Sequence, residues 1–100
     1  MALSQTEIHG KLRTIPGWEL TKNKGIQKKF SFENFKAALA FVNKVGELAE
    51  QSDHHPDITI NYNKVTLTLS THTAGGLTNK DFDLAGHIEK IGKTEEKQEG

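Results

Sequence analysis

Three histidines, His54, His55 and His72, fall within nineteen positions of a 100-residue chain that holds five histidines in all. Imidazole has an unperturbed pKa of ~6.5, so it gives or takes a proton near neutrality. Rings held close together perturb one another, because one positive charge opposes the next. Glu50 and Asp53 flank the histidine pair, and Asp81 follows the Gly75-Gly76 break that comes soon after His72. A carboxylate beside an imidazole favours its protonated form and orients the ring. These parts suit an acid/base site with no covalent nucleophile.

Plainer readings compete with this one. A single histidine at a strand end is usually just a solvated or satisfied polar residue. Three that converge on one rim favour function. Three neutral imidazoles can also hold zinc. The helical His-x-x-x-His spacing is missing, however, and adjacent rings on extended backbone point in opposing directions. No metal is therefore expected. His9 and His87 fall in helical patterns away from the cluster and read as surface residues. Trp18 reads most simply as a core or interface anchor, and it is also kept among the residues that can bind or orient a substrate. Gly75-Gly76 reads as a turn, since no Walker pattern surrounds it.

The elements that must position these residues follow from periodicity. Ser4 with Glu7 three positions later is a capping-box pattern, and Ile8, Leu12 and Ile15 extend it into a short helix over 4–14 that Pro16-Gly17 ends. Residues 18–21 and 26–30 read as a hairpin around Lys22-Asn23-Lys24-Gly25. Ser31 is placed to cap the next helix. That helix carries Phe35, Leu39 and Val42 on one face, with Phe41, Val45 and Leu48 on its flank. Pro56 prevents it from continuing. Ile58, Ile60 and Tyr62 alternate with polar residues, as do Val65, Leu67 and Leu69, so two strands meet at an Asn63-Lys64 turn. Pairing across that turn joins residues whose numbers sum to about 127, which sets His72 across from His55 at one end of the sheet. Thr78 and Asp81 suggest a further cap, and Phe82, Ala85, Ile88 and Ile91 line a final helix.

The order is α-β-β-α-β-β-α. It specifies an α+β fold with a four-stranded antiparallel sheet and helices packed on one face. The domain is expected over 1–92, with a polar, frayed tail over 93–100.

Composition narrows the function. Thirteen basic and thirteen acidic residues cancel, which argues against direct nucleic-acid binding. The absence of cysteine excludes disulfide scaffolds and thiolate metal sites. No apolar run approaches the ~20 residues of a membrane span, and the first ten residues carry no secretory pattern, so a cytoplasmic protein with no membrane partner is expected. A core this small gains from an oligomer interface.

Glu50, His54-His55-Pro56, Tyr62, His72 and Asp81 together resemble the pterin-4a-carbinolamine dehydratase family. The strings YNKVTLTLSTH and GGLTNKDFDLA, and Pro16-Gly17-Trp18, are similar to it as well. The likeness covers about residues 4 to 92. It implies removal of water from 4a-hydroxytetrahydrobiopterin or a related pterin carbinolamine, giving quinonoid dihydropterin during tetrahydropterin recycling. It implies His54 and His72 as acids, and His55 as the residue that binds the pterin and accepts its N5 proton. Glu50, Asp53 and Asp81 would orient or charge-balance the rings. No cofactor is implied. Subunits would join as a homodimer or homotetramer. Ile58 stands where many animal members carry Trp, so a ring-stacking contact is not carried over. Two rival readings remain: a non-catalytic module with a protein partner, and a three-histidine zinc hydrolase. Since His54 and His72 are expected at a polar rim, alanine at either should leave the fold intact.

Overall fold

The computed structural model describes residues 2–95. The first helix, α1, spans Gln5–Leu12 and starts at the expected cap: the Glu7 N–H donates to Ser4 Oγ (3.2 Å) and the Ser4 N–H donates to Glu7 Oε1 (2.9 Å). Those hydrogen bonds from Ser4 hold the Glu7 carboxyl below its ordinary value. A depressed carboxyl stabilises the fold above the ordinary glutamate range, and that contribution is lost as pH falls through the lowered folded value. In a carbonyl-detected NMR titration, Glu7 should titrate at lower pH than a free glutamate. Ser4→Ala removes the hydroxyl but keeps the backbone N–H that is the larger cause, so the midpoint should rise only part of the way towards the ordinary range; a midpoint restored in full would show that the N–H does not hold it.

Two short strands follow, β1 (Glu19–Leu20) and β2 (Ile26–Ser31). The helix α2 runs over Phe35–Ser52, then β3 (Asp57–Asn61), β4 (Lys64–Leu69), a 3-10 turn at His72–Ala74, and α3 (Asn79–Glu95). The expected order stands, with a four-stranded antiparallel sheet ordered β1-β2-β4-β3. α3 passes the expected domain boundary by three residues, and 96–100 lie outside the described residues.

Three local expectations are corrected. Ser31 does not cap α2; it pairs with Lys64 in the sheet, and the Asn34 side chain accepts from the Ala37 N–H (2.9 Å) instead. The inner face of α2 is Ala38, Phe41, Val45 and Ala49, while Phe35 and Leu39 are 46% and 37% exposed. The hairpin turns at Tyr62-Asn63, one residue earlier than expected, with Asn61 opposite Lys64. Asn63 is held there from outside the hairpin: its Nδ2 donates to the Phe32 carbonyl (2.8 Å) and its own carbonyl accepts from the Phe32 N–H (2.8 Å).

One face of the sheet carries Ile26, Phe30, Val65, Leu67 and Leu69, all fully buried, against α2 and the Phe82, Ala85 and Ile88 stripe of α3. The other face is polar, with Gln27 Nε2 donating to Thr68 Oγ1 (2.9 Å). Lys28 is the exception on the inner side, directly opposite Leu67. It is only 16% exposed and is satisfied by Glu89 of α3 and by the Pro16 carbonyl (3.2 Å). Removing one partner of such a pair strands a charge, so the arrangement ties α3 to the first hairpin.

Candidate active site

The C-terminus of α2 sets the direction of the histidine pair. Asp53 takes the left-handed conformation (φ 51°, ψ 41°), its N–H reaches the Glu50 carbonyl (3.3 Å), and the His54 N–H reaches the Ala49 carbonyl (3.1 Å). This is a Schellman end, which reverses the chain abruptly. Asp53 thus acts through its backbone, and its side chain is exposed. Beyond the reversal, His54 and His55 point apart, as extended neighbours do.

His54 turns inward. Its Nε2 lies 2.5 Å from Oδ1 of Asp81, and Asp81 is fully buried. The other carboxylate oxygen, Oδ2, accepts from Thr71 Oγ1 (2.8 Å) and from the Thr78 N–H (2.9 Å). Asp81 is the third residue of α3, so the same carboxylate caps that helix and holds the imidazole. A carboxylate only accepts. His54 Nε2 must therefore carry a hydrogen toward it, which leaves Nδ1 to exchange a proton. The His54 side chain is only 12% exposed. The expectation of a polar rim position is corrected accordingly: His54→Ala would leave a buried carboxylate oxygen without its donor.

His55 turns outward to Glu50, its Nε2 against Oε2, and both side chains are largely exposed. His72 lies past the end of β4, at the start of the 3-10 turn, with Nε2 3.4 Å from Ser70 Oγ. The observed pairs Asp57 with Thr68 and Asn61 with Lys64 sum to 125, so His72 is level with Asp53 rather than with His55. The three imidazoles gather at the same end of the sheet without lining one common cavity. His72 lines a cavity of about 250 Å³ with Asn23, Lys24, Ser70, Thr71, Gly75 and Gly76. His54 lines another of about 220 Å³ with Ser52, Lys80, Asp83, Leu84 and His87. The sequence link between them is Thr71, bonded to Asp81 on one side and followed by His72 on the other.

Trp18 is corrected to a core residue. It is 4% exposed, its Nε1 donates to Glu89 Oε1 (2.8 Å), and its ring meets Phe30 edge-on. Thr78 and Asp81 do form the cap expected from their spacing, whereas Thr71 was not singled out, since nothing in the string marks it as a carboxylate donor. Among the described residues, no three His, Asp or Glu side chains are placed to share a metal ion.

This geometry can be set beside known proteins. The family model for pterin 4 alpha carbinolamine dehydratase matches residues 1–91. The chain belongs to this family. A relative from Picosynechococcus sp. is 56% identical over 89 residues, covering 89% of this chain and 96% of that protein. One from Sulfolobus acidocaldarius is 47% identical over 91 residues, covering 91% and 99%. Both bear the family's dehydratase name provisionally. The crystal structure of a transcriptional coactivator/pterin dehydratase from Brucella melitensis superposes with a TM-score of 0.89 at 32% identity, over 92% of this chain and 99% of that one. A pterin dehydratase-like protein that is a RuBisCO assembly factor in the alpha-carboxysome shares the fold, with a TM-score of 0.66 at 22% identity over 76% and 89%. Proteins that share this fold thus carry different roles.

Proposed function

We propose that this chain is a hydro-lyase that removes water from 4a-hydroxytetrahydrobiopterin or a related pterin carbinolamine, giving quinonoid dihydropterin in tetrahydropterin recycling. The observation that carries this reading is His54 held by a fully buried carboxylate, with His72 one residue from the same hydrogen-bonded network. Hydroxide is a poor leaving group, so the C4a–O bond breaks once that oxygen is protonated. The N5 lone pair supplies the electrons, the N5 proton departs, and water is released. His54, through Nδ1, and His72 are the acids. Asp81 engages Nε2 of His54 and so fixes which nitrogen is free. His55, paired with Glu50, binds the pterin and takes the N5 proton. Each positioned acid or base is worth roughly 10²- to 10⁴-fold in rate. The pterin nitrogen itself expels the leaving group, so the step needs no metal or organic cofactor.

We place the enzyme in the cytoplasm as a homodimer or homotetramer. The supporting feature is an exposed edge. β3 is exposed at all five residues, and Ile58 and Ile60 are 38% and 37% exposed although they face the same side as buried Leu67 and Val65. An apolar edge strand of this kind is a surface for another chain. The same edge would serve a protein partner if the domain were a binding module.

Stopped-flow absorbance with chemically prepared 4a-hydroxytetrahydropterin decides between these readings. Acceleration over the uncatalysed rate is expected from the purified protein. A well-folded sample that leaves the rate unchanged would reject the enzyme and favour the module.

A further inference from the structure

The cavity beside His72 does not end at the histidine. It adjoins a second of about 300 Å³, and the two share Lys24, Gly75 and Gly76 as walls. The second cavity changes in character. Leu3, Ile8, Leu20 and Leu77 give it an apolar body, and the exposed Lys22 and Lys24 also line it. Neither lysine is paired with a carboxylate among the described residues. The cleft is therefore polar with an imidazole at one end, apolar along its length, and cationic at its edge.

The turn between β1 and β2 is fitted into this position. An added Cβ on Gly25 would lie 2.8 Å from the Leu69 carbonyl and 3.2 Å from Thr21 Oγ1, so only glycine lets the turn seat against the end of β4. Lys24 beside it sits at φ 60°, a conformation that favours glycine. On the opposite wall, the Leu3 N–H donates to the Leu77 carbonyl (2.8 Å) and holds the start of the chain against the Gly75-Gly76 loop.

The chemistry of the substrate says what must lie there. The ring carbon C6 is bonded to N5, and N5 to C4a. A histidine that serves the C4a hydroxyl is thus within a few bonds of whatever C6 carries. We propose that this cleft takes the C6 substituent, and that it suits a reduced pterin whose substituent has an aryl body and a terminal carboxylate. The identity of the ring rests on the dehydratase reading; the preference for the substituent does not. The aryl group loses water exposure against Leu20, Ile8 and Leu77, and the carboxylate meets Lys22 and Lys24.

Anaerobic titration calorimetry with tetrahydrofolate and 6-methyltetrahydropterin tests this, because the two share the reduced ring and differ in the C6 substituent. Tetrahydrofolate should bind about tenfold tighter at low salt, the gain expected from two exposed charge contacts plus a buried aryl face. Lys22→Gln/Lys24→Gln should bring the two ligands within about twofold of each other, and salt should do the same to the wild type. Leu20→Ser should weaken tetrahydrofolate alone. All three residues are exposed or line the open cleft, so the variants are expected to fold. Equal wild-type affinities, or a preference that survives the double lysine change, would overturn the inference. Turnover of the 6-methyl carbinolamine is followed in parallel. Turnover without a binding preference sinks the cleft inference alone. A preference without turnover upholds the cleft and sinks the dehydratase.

Discussion

Replacing both His54 and His72 should abolish acceleration of carbinolamine dehydration, while either single change leaves a measurable remainder. In the proposed mechanism both imidazoles serve the same leaving oxygen and would substitute for one another in part, so each single loss should cost roughly 10²-fold and the double loss at least 10⁴-fold. The form of the variant matters. His72 is exposed beside Ser70, so alanine there removes only the ring. His54 needs glutamine, whose amide can still donate to Asp81 Oδ1 and spare the buried carboxylate. Stopped-flow rates beside far-ultraviolet circular dichroism check the pair. If His54→Gln and His72→Ala together kept the wild-type rate with an intact spectrum, neither imidazole would be the acid.

Among the candidate site residues, Asp81→Ala should be the change most damaging to the fold. It strips the acceptor from the Thr78 N–H, from Thr71 Oγ1 and from His54 Nε2 at once, at a fully buried position. Breaking one side of a buried, hydrogen-bonded charge typically costs about 3 kcal/mol or more. In a domain of this size that lowers Tm by about 15 °C. Asp81→Asn separates the two duties of the residue. Its oxygen can face Thr71 and the Thr78 N–H and keep the helix capped, while its NH₂ faces His54. The ring must then present an acceptor at Nε2 and shift its hydrogen to Nδ1. The expected result is near-native melting with turnover reduced to the level of a His54 variant. Thermal denaturation with both substitutions, alongside their rates, checks this. A fully active Asp81→Asn would mean that the carboxylate serves the helix and not the imidazole.

The element order could be read from the string because helical and strand periods alternate cleanly between turn residues. What escaped it required tertiary knowledge. The turn at Tyr62-Asn63 differs from an Asn63-Lys64 turn by a slide of two in partner number, which leaves Ile58, Ile60, Val65 and Leu67 on the same face. Alternation cannot distinguish the two; the bonds from Asn63 to Phe32 do. Likewise, the apolar positions of α2 allow two neighbouring faces, and α3 covers only one of them. For the site, the three histidines and the acids were visible as types at spacings. Which acid holds which ring was not, because Asp81 reaches His54 across twenty-seven positions while Asp53, its immediate neighbour, is occupied in ending a helix.

Trp18 is the only tryptophan in the chain. Its indole N–H is bound to the carboxylate that also neutralises Lys28, and the ring is packed on Phe30. Its emission is therefore an internal optical gauge of whether α3 is seated on the first hairpin, through contacts that involve neither His54 nor His72. A variant that loses turnover with its emission unmoved has lost a proton donor; one whose emission shifts to the red has lost its core.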